Sequence, residues 1–314
     1  MSQPADETSA DHPLDAMRAT PNPKGTAATL SSSESSKVAK KSAGRNLPAA
    51  IISGVVLLVW VVGSLLWWQP GFVIFWALAL GIGAFEVSRA LKELGWRAQW
   101  RTLSVGLPVI VSVSYLLGNL LSTRSAELTI IAGLVVLVCI CLTVRLWFGL
   151  SDFLTDVSAS FFVLAYLGLL GLPLILVLLA PDGGLRVLLL FVCVPASDTG
   201  AYAFGSWFGR NKLAPQISPG KTWEGFAGGL TLAGIAGAVY VHFVLGQQWW
   251  AGLVIGVLLA LAGVLGDLVE SIIKRTTGIK DMGNFIPGHG GAMDRLDSLL
   301  MAAPALWVAQ LLLL

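Results

Sequence analysis

The sequence predicts an all-α, polytopic integral membrane protein: a helical bundle of about nine transmembrane helices behind a disordered N-terminal tail. Three observations predict it. Of 314 residues, 55% are hydrophobic and only 12% are charged, with a mean hydropathy of +0.78. A soluble domain carries roughly 25% charged residues. Nine apolar segments follow one another, each near the ~20 residues that cross a bilayer. The Lys and Arg residues fall almost entirely on one side of those segments.

Residues 1–46 are rich in Ser, Ala, Pro, Thr and Lys and poor in aromatics. They bury too little apolar surface to fold, so a disordered cytoplasmic tail is expected. No apolar run follows Met1, and no secretory signal peptide is expected. Lys37, Lys40, Lys41 and Arg45 form a basic edge before the first apolar segment. That edge suits topology and lipid headgroups; no nucleic-acid partner is expected.

Residues 47–314 form the transmembrane domain. The segments run approximately over 47–68, 72–91, 104–121, 127–148, 159–180, 184–205, 222–245, 250–273 and 298–314. The third and ninth are the shortest. Polar joints such as Gln69-Pro70-Gly71 and Gly246-Gln247-Gln248 separate them, and Trp67, Trp68, Trp249 and Trp250 lie at segment ends, where indoles favour the interface. With a cytoplasmic N-terminus, only Arg124 and Arg186 of the 20 Lys and Arg reach the far side. Nine spans with an external C-terminus preserve that asymmetry, and an even number would destroy it. Cys139, Cys141 and Cys193 all lie in apolar segments and imply no disulfide framework.

Polar residues at membrane depth are costly, by ~2.5–3.5 kcal/mol each on insertion scales, and mark function. Two stretches stand out. In the first, Asp267, Glu270, Ser271 and Lys274 recur at i, i+3, i+4 and i+7, one helix face. Arg275, Lys280 and Asp281 follow, then a glycine-rich loop with Pro287, His289, Gly290 and Gly291, and then Asp294, Arg295 and Asp297 on the next helix. The second stretch, residues 197–229, holds Asp198 and Tyr202 on one helix and Ser218, Lys221, Thr222 and Glu224 beyond it. Ser218-Pro219 reads as a turn into a helix N-terminus, a seat for phosphate. Carboxylates on two helices, cations and glycine-rich loops suit a metal-bound polyphosphate, and oxygen ligands select a hard cation such as Mg2+. The two loops share one face and could enclose a single nucleotide.

The run Ser271–Asp297 resembles the characteristic motif of the phosphatidate cytidylyltransferases, or CDP-diacylglycerol synthases. That motif reads Ser, two residues, Lys-Arg, four residues, Lys-Asp, then His-Gly-Gly and Asp-Arg-x-Asp. Ser271, Lys274, Arg275, Lys280, Asp281, His289, Gly290, Gly291, Asp294, Arg295 and Asp297 match it. The runs Ser197–Tyr202 and Ser218–Gly225 are similar to the family's other block, except that Gly220 stands where a second Lys is usual. The two blocks cover roughly a fifth of the chain.

The resemblance implies that CTP and phosphatidic acid react to CDP-diacylglycerol and pyrophosphate, an early step in phospholipid synthesis. It implies a divalent cation on the carboxylates matching Asp267 and Asp294, with room for a second, monovalent ion such as K+. Lys274, Asp281 and Asp297 join these two as catalytic candidates. Substrate contacts are expected from Asp198, Ser218, Lys221, Thr222, Glu224, Ser271, Arg275, Lys280, His289, Gly290, Gly291 and Arg295. The expected setting is a bacterial inner membrane with the site at the cytoplasmic face. A homodimer is compatible with such a bundle.

Plainer readings stand beside these. Asp267 could pair with Lys274 along its own helix, and Asp294, Arg295 and Asp297 could form a structural ion network. Lys274 and Arg275 could be cytoplasmic anchors, and His289 a turn residue. Asp152 and Asp156 read as interface charges. Glu86 has no partner visible in sequence. The rival functions are a polyprenol-kinase-like enzyme using CTP and an ion-coupled transporter.

Overall fold

The computed structural model describes residues 47–147, 149, 151–283, 285 and 290–314, with side chains from 52 onward. The tail and His289 lie outside these residues. Among the described residues, nine helical segments make the bundle. They are α1 (Leu47–Trp67), α2 (Gln69–Lys92), α3 (Trp100–Leu120), α4 (Thr123–Leu146), a broken fifth segment, α7 (Gly183–Phe208), α8 (Trp223–Phe243), α9 (Trp249–Thr277) and α10 (Met293–Leu313). The fifth comprises α5 (Phe153–Val163), a π-helical turn (Leu164–Leu169) and α6 (Pro173–Leu178). Eight of the nine are long and apolar enough to span a membrane; the ninth, α1, is described in full only over Ile52–Trp67.

The joints follow local chemistry. Pro70 occupies the first turn of α2, where no backbone N–H is needed. Ser122 caps α4 by accepting the Ser125 N–H, and Thr222 caps α8 by accepting the Gly225 N–H. Gly278, at φ 73°, ends α9. α3 and α10 begin at Trp100 and Met293, earlier than hydropathy alone predicts. The polar first turns remain helical because backbone bonding, not apolar character, defines a helix end.

The core surrounds α6, whose Leu174, Ile175, Leu176, Val177 and Leu178 are all buried. Phe72, Trp76 and Leu80 of α2, Leu103 and Leu107 of α3 and Leu167 of the π turn fill the centre. Where the π turn breaks regular bonding, Trp76 Nε1 donates to the Gly171 carbonyl at 2.9 Å. The outer face of α4 exposes Leu128, Ile131, Val135 and Val136. In a membrane such a face meets lipid and needs no protein partner. Trp67, Trp68, Trp249 and Trp250 are exposed at helix ends, as expected of interfacial indoles.

Two local readings are corrected. Ser218–Thr222 is not simply a turn: it is strand β2, paired antiparallel with β1 (Lys212–Ala214). Pro219 sits in a two-stranded ribbon, where it removes a donor at an edge and disturbs no neighbour. Asp156 is not an interface charge. It is 4% exposed, pairs with Arg145 Nε at 3.1 Å and accepts the Arg97 N–H at 2.8 Å. A lone carboxylate there reads as peripheral in sequence because its cation comes from the preceding helix.

Candidate active site

The first cluster is built on one face of α9. Ser271 Oγ donates to Asp267 Oδ1 at 3.3 Å, and Lys274 Nζ donates to Glu270 Oε2 at 2.6 Å. The helical spacing predicted from sequence therefore holds. Asp267 and Lys274 are also engaged from outside α9. Lys221 Nζ of β2 stands 2.7 Å from Asp267 Oδ2, and Lys274 Nζ stands 2.5 Å from Asp294 Oδ1 of α10. Asp267 pairs across the fold with Lys221, not along its helix with Lys274. Close packing brings α10 within reach of Lys274: a Cβ on Gly266 would lie 2.2 Å from the Asp297 carbonyl oxygen, so only glycine lets α10 approach so near.

α10 starts without a side-chain cap of its own. Its first amides are satisfied from α2. Glu86, 3% exposed, accepts the Ala292 N–H at 3.1 Å and the Met293 N–H at 2.8 Å. A carboxylate at a helix N-terminus also meets the positive end of the helix dipole. Gly283 and Gly291 make room for it: Cβ atoms there would fall 2.1 and 2.7 Å from its oxygens. Asp294 fastens the same loop, accepting the Gly291 N–H at 2.8 Å and the Met282 N–H at 3.3 Å. Sequence reasoning missed Glu86 because its partners are backbone amides more than 200 positions away. The one available signal was a charge deep in an apolar span.

A cavity of about 220 Å3 opens beside this cluster, lined among others by Asp198, Tyr202, Lys221, Thr222, Asp267 and Ser298. Asp198 comes from α7, so α7, β2, α8 and α9 meet there. Asp297 feels the charges of Asp267, Lys274 and Asp198. Ser218 lies on β2, and Arg275 Nε donates to the Ile217 carbonyl at 3.4 Å, tying the end of α9 to the ribbon. Glu224 uses its carboxylate to hold the segment after α7, accepting from the backbone N–H groups of Arg210 and Asn211 and from Asn211 Nδ2. Lys280, Asp281 and Arg295 are exposed and do not line the cavity; Asp281 borders a separate pocket with Arg89 and Gly283. Gly290 and Gly291 lead into α10 beside Asp294.

Among the described residues, no three His, Cys, Asp or Glu side chains form a ready metal cage. Asp267 and Asp294, the expected ligands, each face a lysine ammonium. Glu270 Oε1 is buried and accepts no hydrogen bond among the described residues. The available donors are carboxylate and hydroxyl oxygens. Mg2+ takes one or two carboxylates and completes its shell with substrate phosphates and water, so these residues fit a hard cation that arrives with a nucleotide.

A bundle of helices apolar enough to span a membrane, gathering acids, lysines and glycine-rich turns at one site, defines an integral membrane protein with a polar site. The sequence model of the cytidylyltransferase family matches residues 48–313, and the chain belongs to that family. It is similar to the phosphatidate cytidylyltransferase of Mycobacterium leprae, with 36% identity over 287 residues covering 86% of this chain and 89% of that protein. The phosphatidate cytidylyltransferase of Mycobacterium tuberculosis H37Rv is 35% identical over 284 residues, covering 86% and 84%. That of Haemophilus influenzae is 47% identical over 130 residues, covering 40% and 45%. The chain is thus a nucleotidyltransferase in a lipid environment.

Proposed function

We propose that the chain transfers the cytidylyl group of CTP to phosphatidic acid, giving CDP-diacylglycerol and pyrophosphate. One observation carries the reading: Lys221 is held on Asp267 in the cavity lining, and Lys274, two turns further along α9, is held on Asp294. Relatives covering most of the chain are named for this activity. A phosphate oxygen of phosphatidate attacks the α-phosphorus of CTP in line. The new P–O bond forms as the bond to the β-phosphate oxygen breaks, and pyrophosphate leaves with that electron pair. No protein nucleophile is required; positioning and charge neutralisation suffice.

Lys221 and Lys274 hold phosphate oxygens, with Arg275 and the ribbon closing over the cavity. Asp267 and Asp294 would hold Mg2+, which supplies charge neutralisation on the phosphates when bound. A second, monovalent cation such as K+ belongs to the same reading. Asp267 also orients Lys221, and Asp294 orients Lys274. The placement of all but two of the Lys and Arg residues on one side supports a cytoplasmic N-terminus and a cytoplasmic site in a bacterial inner membrane.

The test is purified protein with phosphatidic acid, Mg2+ and CTP labelled at the α-phosphorus. Label is expected in lipid together with released pyrophosphate, and excess chelator is expected to stop both. Label entering lipid only from the γ-phosphate overturns the reading, as does turnover untouched by chelator for its metal.

A further inference from the structure

A second pocket lies where α2 ends and α3 begins, lined by Phe85, Ser88, Arg89, Lys92, Arg97 and Trp100, with a volume of about 490 Å3. Three of these residues are cations and no carboxylate lines it. Arg89, Lys92 and Arg97 are exposed, and among the described residues none makes a salt bridge. Glu93 and Asp281 border the adjoining pocket that shares Arg89, without reaching ion-pair distance of it. Like charges held side by side repel, and a bound anion relieves that repulsion.

The other walls have a lipid-interface character. Phe85 and Trp100 are exposed, with ring centroids 5.2 Å apart in an edge-to-face pair. The Arg101 guanidinium carbon stands 5.3 Å from the Trp100 ring centroid. Indoles with basic neighbours sit at headgroup level in bilayers. The amino end of α3, 21 residues long, opens here, and its N-cap Gln99 makes no side-chain cap. The Trp100 N–H donates to the Ala98 carbonyl at 2.9 Å, so the side-chain cations, not that amide, face an anion in the pocket. The rim is fixed from α5, where Asp156 accepts the Arg97 N–H and Ser160 Oγ accepts the Gln99 N–H.

From this we infer that the pocket binds the headgroup phosphate of an anionic phospholipid of the surrounding bilayer. Arg89, Lys92 and Arg97 take the phosphate, and Phe85 and Trp100 lie against the glycerol and upper acyl chains. Through Arg89 the pocket adjoins Met282 and Gly283, which contact Asp294 and Glu86. A bound lipid thereby stands next to the loop that starts α10, outside the catalytic cavity.

The experiment is a titration of the full-length protein in detergent with phosphatidylglycerol, phosphatidylcholine and phosphatidic acid, read as lipids retained in native mass spectrometry. Phosphatidylglycerol is expected to bind in preference to phosphatidylcholine. In the triple variant Arg89→Gln, Lys92→Gln, Arg97→Gln its affinity is expected to fall on the order of a hundredfold, as three lost surface cations imply. The charge-preserving variant Arg89→Lys, Lys92→Arg, Arg97→Lys is expected to retain most of the binding. Should the triple Gln variant not fold, salt titration of the unmodified protein replaces it, and binding unaffected by salt overturns the inference. Equal retention of phosphatidylcholine, or full binding by the triple Gln variant, overturns it as well. Retention of phosphatidic acid alone would make the pocket a substrate seat, against the inference. The readout is independent of turnover and so of the proposed reaction.

Discussion

Lys274 of α9 stands 2.5 Å from Asp294 of α10 while its ammonium also donates to Glu270 at 2.6 Å. One cation thus answers two acids on two helices. Glu270 is 2% exposed, so its charge depends on that lysine. Lys274→Met is expected to remove turnover and to destabilise the protein by roughly 3–5 kcal/mol, because it leaves buried charges unpaired. The double change Lys274→Met, Glu270→Gln is expected to recover much of the stability and none of the activity. Thermal midpoints in detergent and cytidylyl transfer separate the two effects.

Glu86 is expected to matter as a positioning residue. Glu86→Ala strands the Ala292 and Met293 amides in a buried place, and each unsatisfied group costs about 1–3 kcal/mol. The start of α10, and with it Asp294, then loses its register. Turnover is expected to fall at least tenfold with KM for CTP raised, while Glu86→Gln, which keeps one acceptor oxygen, is intermediate. A Glu86→Ala variant with unchanged kinetics would remove this role.

Glycine positions give a paired test. Gly266→Ala drives a methyl group onto the Asp297 carbonyl and is expected to cost about 1–3 kcal/mol through overpacking, with lowered turnover. At Gly220 an added Cβ meets nothing within 4 Å. Gly220→Ala is therefore expected to be silent. Gly220→Lys, which restores the cation usual in the related motif, is expected to lower KM for CTP severalfold. Steady-state kinetics on the three variants decide.

The Arg145–Asp156 pair lies away from the cavity and ties α4 to α5. Asp156→Ala is expected to lower stability by roughly 3–5 kcal/mol by leaving Arg145, 7% exposed, without its acid. Turnover per folded molecule is expected to hold. Equal loss of both, measured on the folded fraction, would place this pair in the catalytic machinery.

Much was legible beforehand for physical reasons. Apolar length is a local property, so the nine segments, their interfacial tryptophans and the broad fold follow from composition along the chain. Helical periodicity is also local, and it placed Asp267, Glu270, Ser271 and Lys274 on one face correctly. The ribbon at Ser218–Thr222 escaped because five residues containing Pro and Gly carry little strand signal. Glu224, a substrate candidate by sequence, also holds the backbone of Arg210 and Asn211, partners that only the return of the chain brings near.

By itself, then, the sequence determined that this is a membrane bundle whose charges collect in two stretches on one side. Partitioning between water and lipid depends on each segment alone, so no partner need be known. Only the tertiary structure decided that Asp267 meets Lys221, that Lys274 serves Glu270 and Asp294 together, and that Glu86 caps a helix 207 positions away. Ion pairs and caps act over a few ångströms, and distance along the chain says nothing about distances that short.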